Sequence, residues 1–171
     1  MFNIGDTIIY SSHGLCQIDG ISEKTFSGVT KTYYVLHPLN NEKLEISTPV
    51  DNKTISTLMA KEEAEEILNL FKEPGIEWIE KGNQRTQGYS LIAKKGDRKE
   101  IAKVINTLLV KKHEIEMNEK KFPEQDRKVL IAMQSILFSE LALSLDTTME
   151  DISEQVAQLL GIDETVILTA E

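Results

Sequence analysis

His13 and Cys16, within SSHGLCQ, are the first residues of the chain whose types could do covalent chemistry. A thiol activated by an imidazole needs the two groups in reach and a third group to orient the base. Here the two straddle a turn and no orienting group is evident, so they read as a turn histidine and a small core cysteine. Three scattered histidines and one cysteine make no metal-ligand set. Gly82 to Gly88 lacks the lysine and the preceding strand of a phosphate-binding loop. No catalytic residue, metal or cofactor is expected.

The stronger chemical signal is charge. The chain has 171 residues, a net charge of −9 and a pI near 4.9, which argues against a general nucleic-acid coat. The average hides a basic belt over 81–112, where nine lysines and arginines meet only Asp97 and Glu100. Residues 129–171 carry eight acidic groups and neither lysine nor arginine. Such a belt is either a solvated helix face or a phosphate-contacting surface, with Arg85, Lys94, Lys95, Arg98 and Lys99 as the candidate contacts. Trp78, the sole tryptophan, sits beside the belt. It suits a hinge anchor packing one domain on the other, or a stacking group against unpaired bases.

These residues must be positioned by two different kinds of structure. Thr7 to Tyr10 is β-branched and aromatic, and Ser11-Ser12-His13-Gly14 supplies turn chemistry. Leu15 to Gly20 alternates, with Gly20 marking a bend or bulge. Residues 22–31 read as a polar connection turning at Gly28, followed by a strand at Thr32 to Leu36. Leu44 to Ser47 alternates again and ends at Pro49, which suits an edge strand because proline cannot donate to a ladder. A short strand at Ile55 to Leu58 completes five, which predicts a small SH3-like or Tudor-like barrel over residues 1–60.

The period changes at residue 61. Lys61 to Lys72 has helical spacing with glutamates in its first turns, and Pro74-Gly75 stops it. A weaker helix is expected over Trp78 to Lys95, ended by Gly96. Asp97 with Glu100, and Thr147 with Glu150, have capping-box spacing and open further helices. Phe122-Pro123 separates the two central helices, and Gly161 ends the last one. Residues 162–171 suit a frayed strand or an oligomer contact. The expected fold class is therefore α+β in two domains, the barrel followed by an all-α helical bundle over 61–171. One cysteine excludes an internal disulfide, and no apolar run approaches the ~20 residues that span a bilayer, so a cytoplasmic protein is expected.

GDTIIYSSHGLCQIDGI (5–21) resembles the start of the CarD family of bacterial transcription regulators, whose first domain is similar to the RNA-polymerase-interaction domain of the transcription-repair coupling factor. LEISTPVDN (44–52) resembles the family's second block, and the Gly96-Asp97 junction and VLIAMQSILFSELALSL (129–145) resemble its helical half. The resemblance implies a Tudor-like domain on the polymerase β subunit, through Lys24, Leu44, Glu45, Ile46, Ser47 and Pro49. It also implies a helical domain on promoter DNA at the upstream edge of the melted region, stabilising the open complex. The chain departs from the family pattern in places. Of two positions that are often basic on the polymerase-facing surface, Lys24 keeps the charge and Ser47 does not. The family's wedge tryptophan falls near Gly82, with Trp78 four residues earlier. Ala132 and Gln134 stand where relatives can carry basic groups. The competing expectation is an adaptor, a peptide-binding barrel on a helical dimerisation bundle with no DNA role.

Overall fold

The computed structural model describes residues 1–10 and 13–167; Ser11 and Ser12 of the expected turn, and residues 168–171, lie outside the described residues. The chain divides into two compact units, Met1–Leu58 and Met59–Glu171.

The first unit is an antiparallel sheet of β1 (Thr7–Tyr10), β2 (Gly14–Phe26), β3 (Val29–Pro38), β4 (Ile46–Pro49) and β5 (Ile55–Thr57), in the order β4-β3-β2-β1-β5. Its pairings leave β4 and β5 as the two ends, unjoined among the described residues, so the expected closed barrel is an open five-stranded sheet. Residues 22–31 are the largest departure from expectation. They are not a connection but the outer half of a long hairpin, paired in register from Ser22↔Tyr33 to Phe26↔Val29. Ser27 and Gly28 join it with φ of 51° and 79°, the two positive values that a tight twisted hairpin turn requires. Most residues of this outer half are exposed, so it shows none of the apolar alternation that marks a half-buried strand. The bulge expected at Gly20 is present as a register shift between Ile18 and Gly20. The expected strand at 44–47 is displaced to 46–49, because pairing with β3 sets Ile46 opposite Leu36 and Pro49 opposite Tyr33. Ile8, Cys16, Ile18, Tyr34 and Leu36 form a small core.

The second unit holds α1 (Lys61–Asn69), continued by a 3-10 turn to Lys72, then α2 (Gly82–Lys95), α3 (Arg98–Met117), α4 (Glu124–Ser144) and α5 (Met149–Leu160). The expected helical start at Trp78 is wrong. Most of residues 73–81 form a non-helical strap, because side chains from α2 and α3 take its carbonyls. Asn106 Nδ2 donates to Glu73 O (2.9 Å), Thr107 Oγ1 to Ile76 O (2.6 Å) and Tyr89 Oη to Glu77 O (2.8 Å). Gly75 lies so close to α3 that a Cβ would clash with Thr107 Oγ1 and the Lys103 carbonyl.

Gly96 ends α2 at φ 73°. Asp97 caps α3 by accepting from the Lys99 and Glu100 N–H groups at 3.0 and 3.1 Å. The Glu100 side chain turns to Lys103 instead (3.2 Å), so half of the capping box is realised. At α5 the cap is one residue later than expected: Thr148 accepts from Asp151 N–H (3.1 Å), and the Thr147 hydroxyl donates to Asp151 Oδ2 (2.8 Å). Gly161 terminates α5 at φ 65°. Beyond it, Val166 and Ile167 are buried and Lys112 Nζ donates to Val166 O (2.9 Å), so this part of the tail is packed on the bundle and is not a frayed strand. The bundle core, built around Leu108, Leu130, Phe138, Leu141 and Ile152, is much larger than that of the sheet. No single helix among the described residues is long and apolar enough to cross a membrane.

Candidate functional site

Residues directly opposite in an antiparallel pair share a face of the sheet. The register therefore collects Lys24 and Lys31, Phe26 and Val29, Tyr33 and Pro49, and Ser47 opposite Val35 on one face of β2, β3 and β4. Phe26 and Val29 are 63% and 56% exposed. Phe26 meets Tyr33 edge-on at 6.4 Å, and Lys24 Nζ lies 5.6 Å from the Tyr33 ring centre. Lys24 Nζ also donates to Ser47 Oγ at 2.8 Å, joining two family positions 23 residues apart. Leu44 and Glu45 are exposed in the segment leading into β4, and Ile46 leans on the small core. β4 is a sheet edge as expected, with Pro49 at its end. Phe26, Val29, Lys31 and Tyr33 were missed from sequence; the Ser-Gly pair between β-forming residues was the available signal.

The belt residues separate into two groups. Arg85 is buried: Nε and Nη2 donate to Asp126 at 2.8 and 2.6 Å, and Nη1 donates to Ile79 O at 2.6 Å. Hydrogen bonding to Asp126 raises the guanidinium pKa further, so this charge is fixed and turned inward. Its guanidinium lies 3.9 Å from the Trp78 ring centre, and Lys111 Nζ lies 5.6 Å from it. Trp78, half-buried, packs on the core of the helical unit itself. Arg98 reaches both oxygens of Glu140, at 2.6 and 3.0 Å, and Glu140 also accepts from Met59 N–H at 2.9 Å. Burial raises the Glu140 pKa and the Arg98 pair pulls it back only in part. Neither arginine presents a free cation at the surface. Lys94 and Lys95 are exposed at the end of α2, with no ion pair among the described residues. Lys99 is exposed beside Glu66 at 3.6 Å.

The Cys16–His13 pair takes its structural reading. Cys16 is fully buried and burial pushes its thiol up to about 11, away from a nucleophilic thiolate. His13 stacks on Tyr10 at 5.3 Å.

An open sheet with an exposed aromatic and basic face, followed in one chain by a helical unit with lysines on a helix end, defines a protein equipped to hold partners. Comparison with known proteins gives the class a family. Residues 2–58 match the CarD-like/TRCF RID domain and residues 66–157 match the CarD C-terminal domain, so the chain belongs to the CarD family of transcription regulators. It is also 26% identical over 144 residues to a Bacillus subtilis (strain 168) protein named "Putative transcription factor YdeB", covering 82% of this chain and 90% of that relative. The family makes it a transcription-associated protein that interacts with RNA polymerase.

Proposed function

We propose that the sheet unit docks on the RNA polymerase β subunit and that the helical unit contacts promoter DNA at the upstream edge of the melted region, stabilising the open complex. The observation that carries the first half is the outer face of the hairpin. Phe26, Val29 and Tyr33 offer apolar contact, Lys24 and Lys31 steer an acidic partner, and the β4 edge offers backbone groups for strand pairing. Lys24, Leu44, Glu45, Ile46, Ser47 and Pro49 remain the proposed contacts, extended by the hairpin residues. The DNA-contacting set narrows to Lys94, Lys95 and Lys99, with Arg85, Arg98 and Trp78 supporting the unit from inside.

Two measurements on the full chain test this. Capture of the polymerase β subunit should survive Lys99→Ala and weaken with Phe26→Ala; equal capture by both variants would remove the hairpin from the interface. DNA affinity should fall with salt with a log–log slope of about −0.9 per neutralised phosphate, and the double change Lys94→Ala/Lys95→Ala should reduce that slope by about two. The inward arginines favour one competing reading, an adaptor that binds polymerase and no DNA. Unchanged promoter opening by the double lysine variant would select it.

A further inference from the structure

The helical unit contains a groove of about 460 Å³, lined by the strap at Glu73 to Ile76 and Trp78, by α3, and by Leu159 and Leu160 at the end of α5. The strap's backbone is already closed to a ligand. Its carbonyls at Glu73, Ile76, Glu77, Ile79 and Glu80 accept from the side chains of Asn106, Thr107, Tyr89 and Arg85. Gly75 has no room for a Cβ against Thr107 and the Lys103 carbonyl, so the strap is held tightly on α3. At the end of α5, the Gly161 and Ile162 N–H groups close the Gln158 and Ala157 carbonyls. The groove is therefore pre-formed, and its chemistry is left to side chains. Phe71, Ile76, Val110, Leu159 and Leu160 make it apolar, while Lys72 and Lys111 bring two ammonium groups against one carboxylate, Glu73.

A pre-formed apolar concavity with a few charged groups is the usual form of a small-molecule site, and a wall that is ordered beforehand lowers the cost of binding. Lys72 is exposed and has no ion pair among the described residues. Lys111 pairs with the exposed Glu114 at 3.3 Å, a surface bridge weak enough to be exchanged for a ligand. Two ammonium groups against one carboxylate leave the lining with a single net positive charge, which suits a monoanion and not a polyphosphate. Arg85 and Lys111 both lie over the Trp78 ring, at 3.9 and 5.6 Å from its centre, so the indole is not open as a platform for a stacked base. The lysine stems add further apolar surface below their charged heads. We infer that this groove binds a small amphipathic carboxylic acid. Its aliphatic body lies among Ile76, Val110, Leu159 and Leu160, and its carboxylate meets Lys72 and Lys111. The inference is independent of the polymerase and DNA contacts proposed above.

Trp78 lines the groove and is the sole tryptophan, so the intrinsic fluorescence of the full chain reads occupancy directly. The probes are octanoate, octanol and octylamine, which share one chain length and differ in head-group charge. Octanoate should shift the emission saturably and raise the thermal midpoint, because a ligand that binds only the folded chain stabilises it. Octanol should bind about fivefold more weakly, as for the loss of one solvent-exposed ion pair, and octylamine more weakly still. Lys72→Ala/Lys111→Met should bind octanoate and octanol alike, and Lys111→Glu should prefer octylamine to octanoate. The thermal midpoint without probe verifies that each variant folds; the double variant, which adds no charge, carries the test should Lys111→Glu lower it. Equal responses to the three probes in the wild type, or an unchanged order of preference in the folded variants, would reduce the groove to an apolar patch and overturn the inference. A wild type whose fluorescence ignores octanoate, or whose midpoint octanoate lowers, would overturn it as well.

Discussion

The two units of this protein treat charge and apolar surface in opposite ways. The sheet unit has a small core and carries Phe26 and Val29 on the outside of a long hairpin, beside Lys24 and Lys31. The helical unit has a large core and takes charged groups into it: Arg85 with Asp126, Glu140 with Arg98, and Lys112 against Val166 O. A partner of the sheet therefore meets apolar surface with cations at its side. Of the bundle's basic residues, a partner meets those that were not used internally. The belt of nine basic residues overstates the charge available to an outside partner, because Arg85, Arg98 and Lys112 are engaged within the unit.

The strongest way to break this contrast is at the buried pair. Asp126→Ala leaves the Arg85 guanidinium buried without its carboxylate, which should cost the helical unit about 3–5 kcal/mol. Urea unfolding followed by Trp78 fluorescence would read the loss, and hydrogen exchange should show β1 to β3 protected as before. Loss of protection in the sheet as well would mean that the two units fold as one cooperative body. Next in size is Phe26→Ala. It should weaken polymerase β binding by about tenfold, as expected for an exposed aromatic anchor, with no change in melting temperature, since the side chain is 63% exposed.

Glu140 sharpens the contrast through pH. Burial raises its folded-state pKa, so its protonated form is the one that folding favours. That contribution is complete below the ordinary glutamate pKa and is lost as pH rises through the folded value. Glu140→Gln has no such loss. The stability difference between wild type and variant should therefore move against the wild type between acidic and neutral pH, measured by urea unfolding at both. A difference that is constant with pH would mean that the Arg98 pair fully compensates the burial. The smallest effect belongs to Lys99→Ala. Its exposed bridge to Glu66, at 3.6 Å, should be worth less than about 1 kcal/mol in thermal unfolding.

The sequence by itself determined the features whose causes lie within a few residues. Gly96 and Gly161 stop helices because they alone accept the left-handed backbone cheaply there, and Asp97 caps α3 through its own neighbours' N–H groups. The change of period at residue 61, the bulge at Gly20 and the edge character of the strand ending at Pro49 were legible for the same reason. One local choice went unread: Thr148 takes the cap expected of Thr147, although both bond to Asp151 within four residues. Only the tertiary structure decided what depended on distant partners. The strap stayed out of α2 because α3 and Tyr89 claimed its carbonyls. Whether an arginine faces solvent or core was settled by a carboxylate 41 residues away for Arg85 and 42 for Arg98. A guanidinium can be buried only where such a partner replaces its water, and that pairing is a property of the packed bundle and not of any local run of sequence.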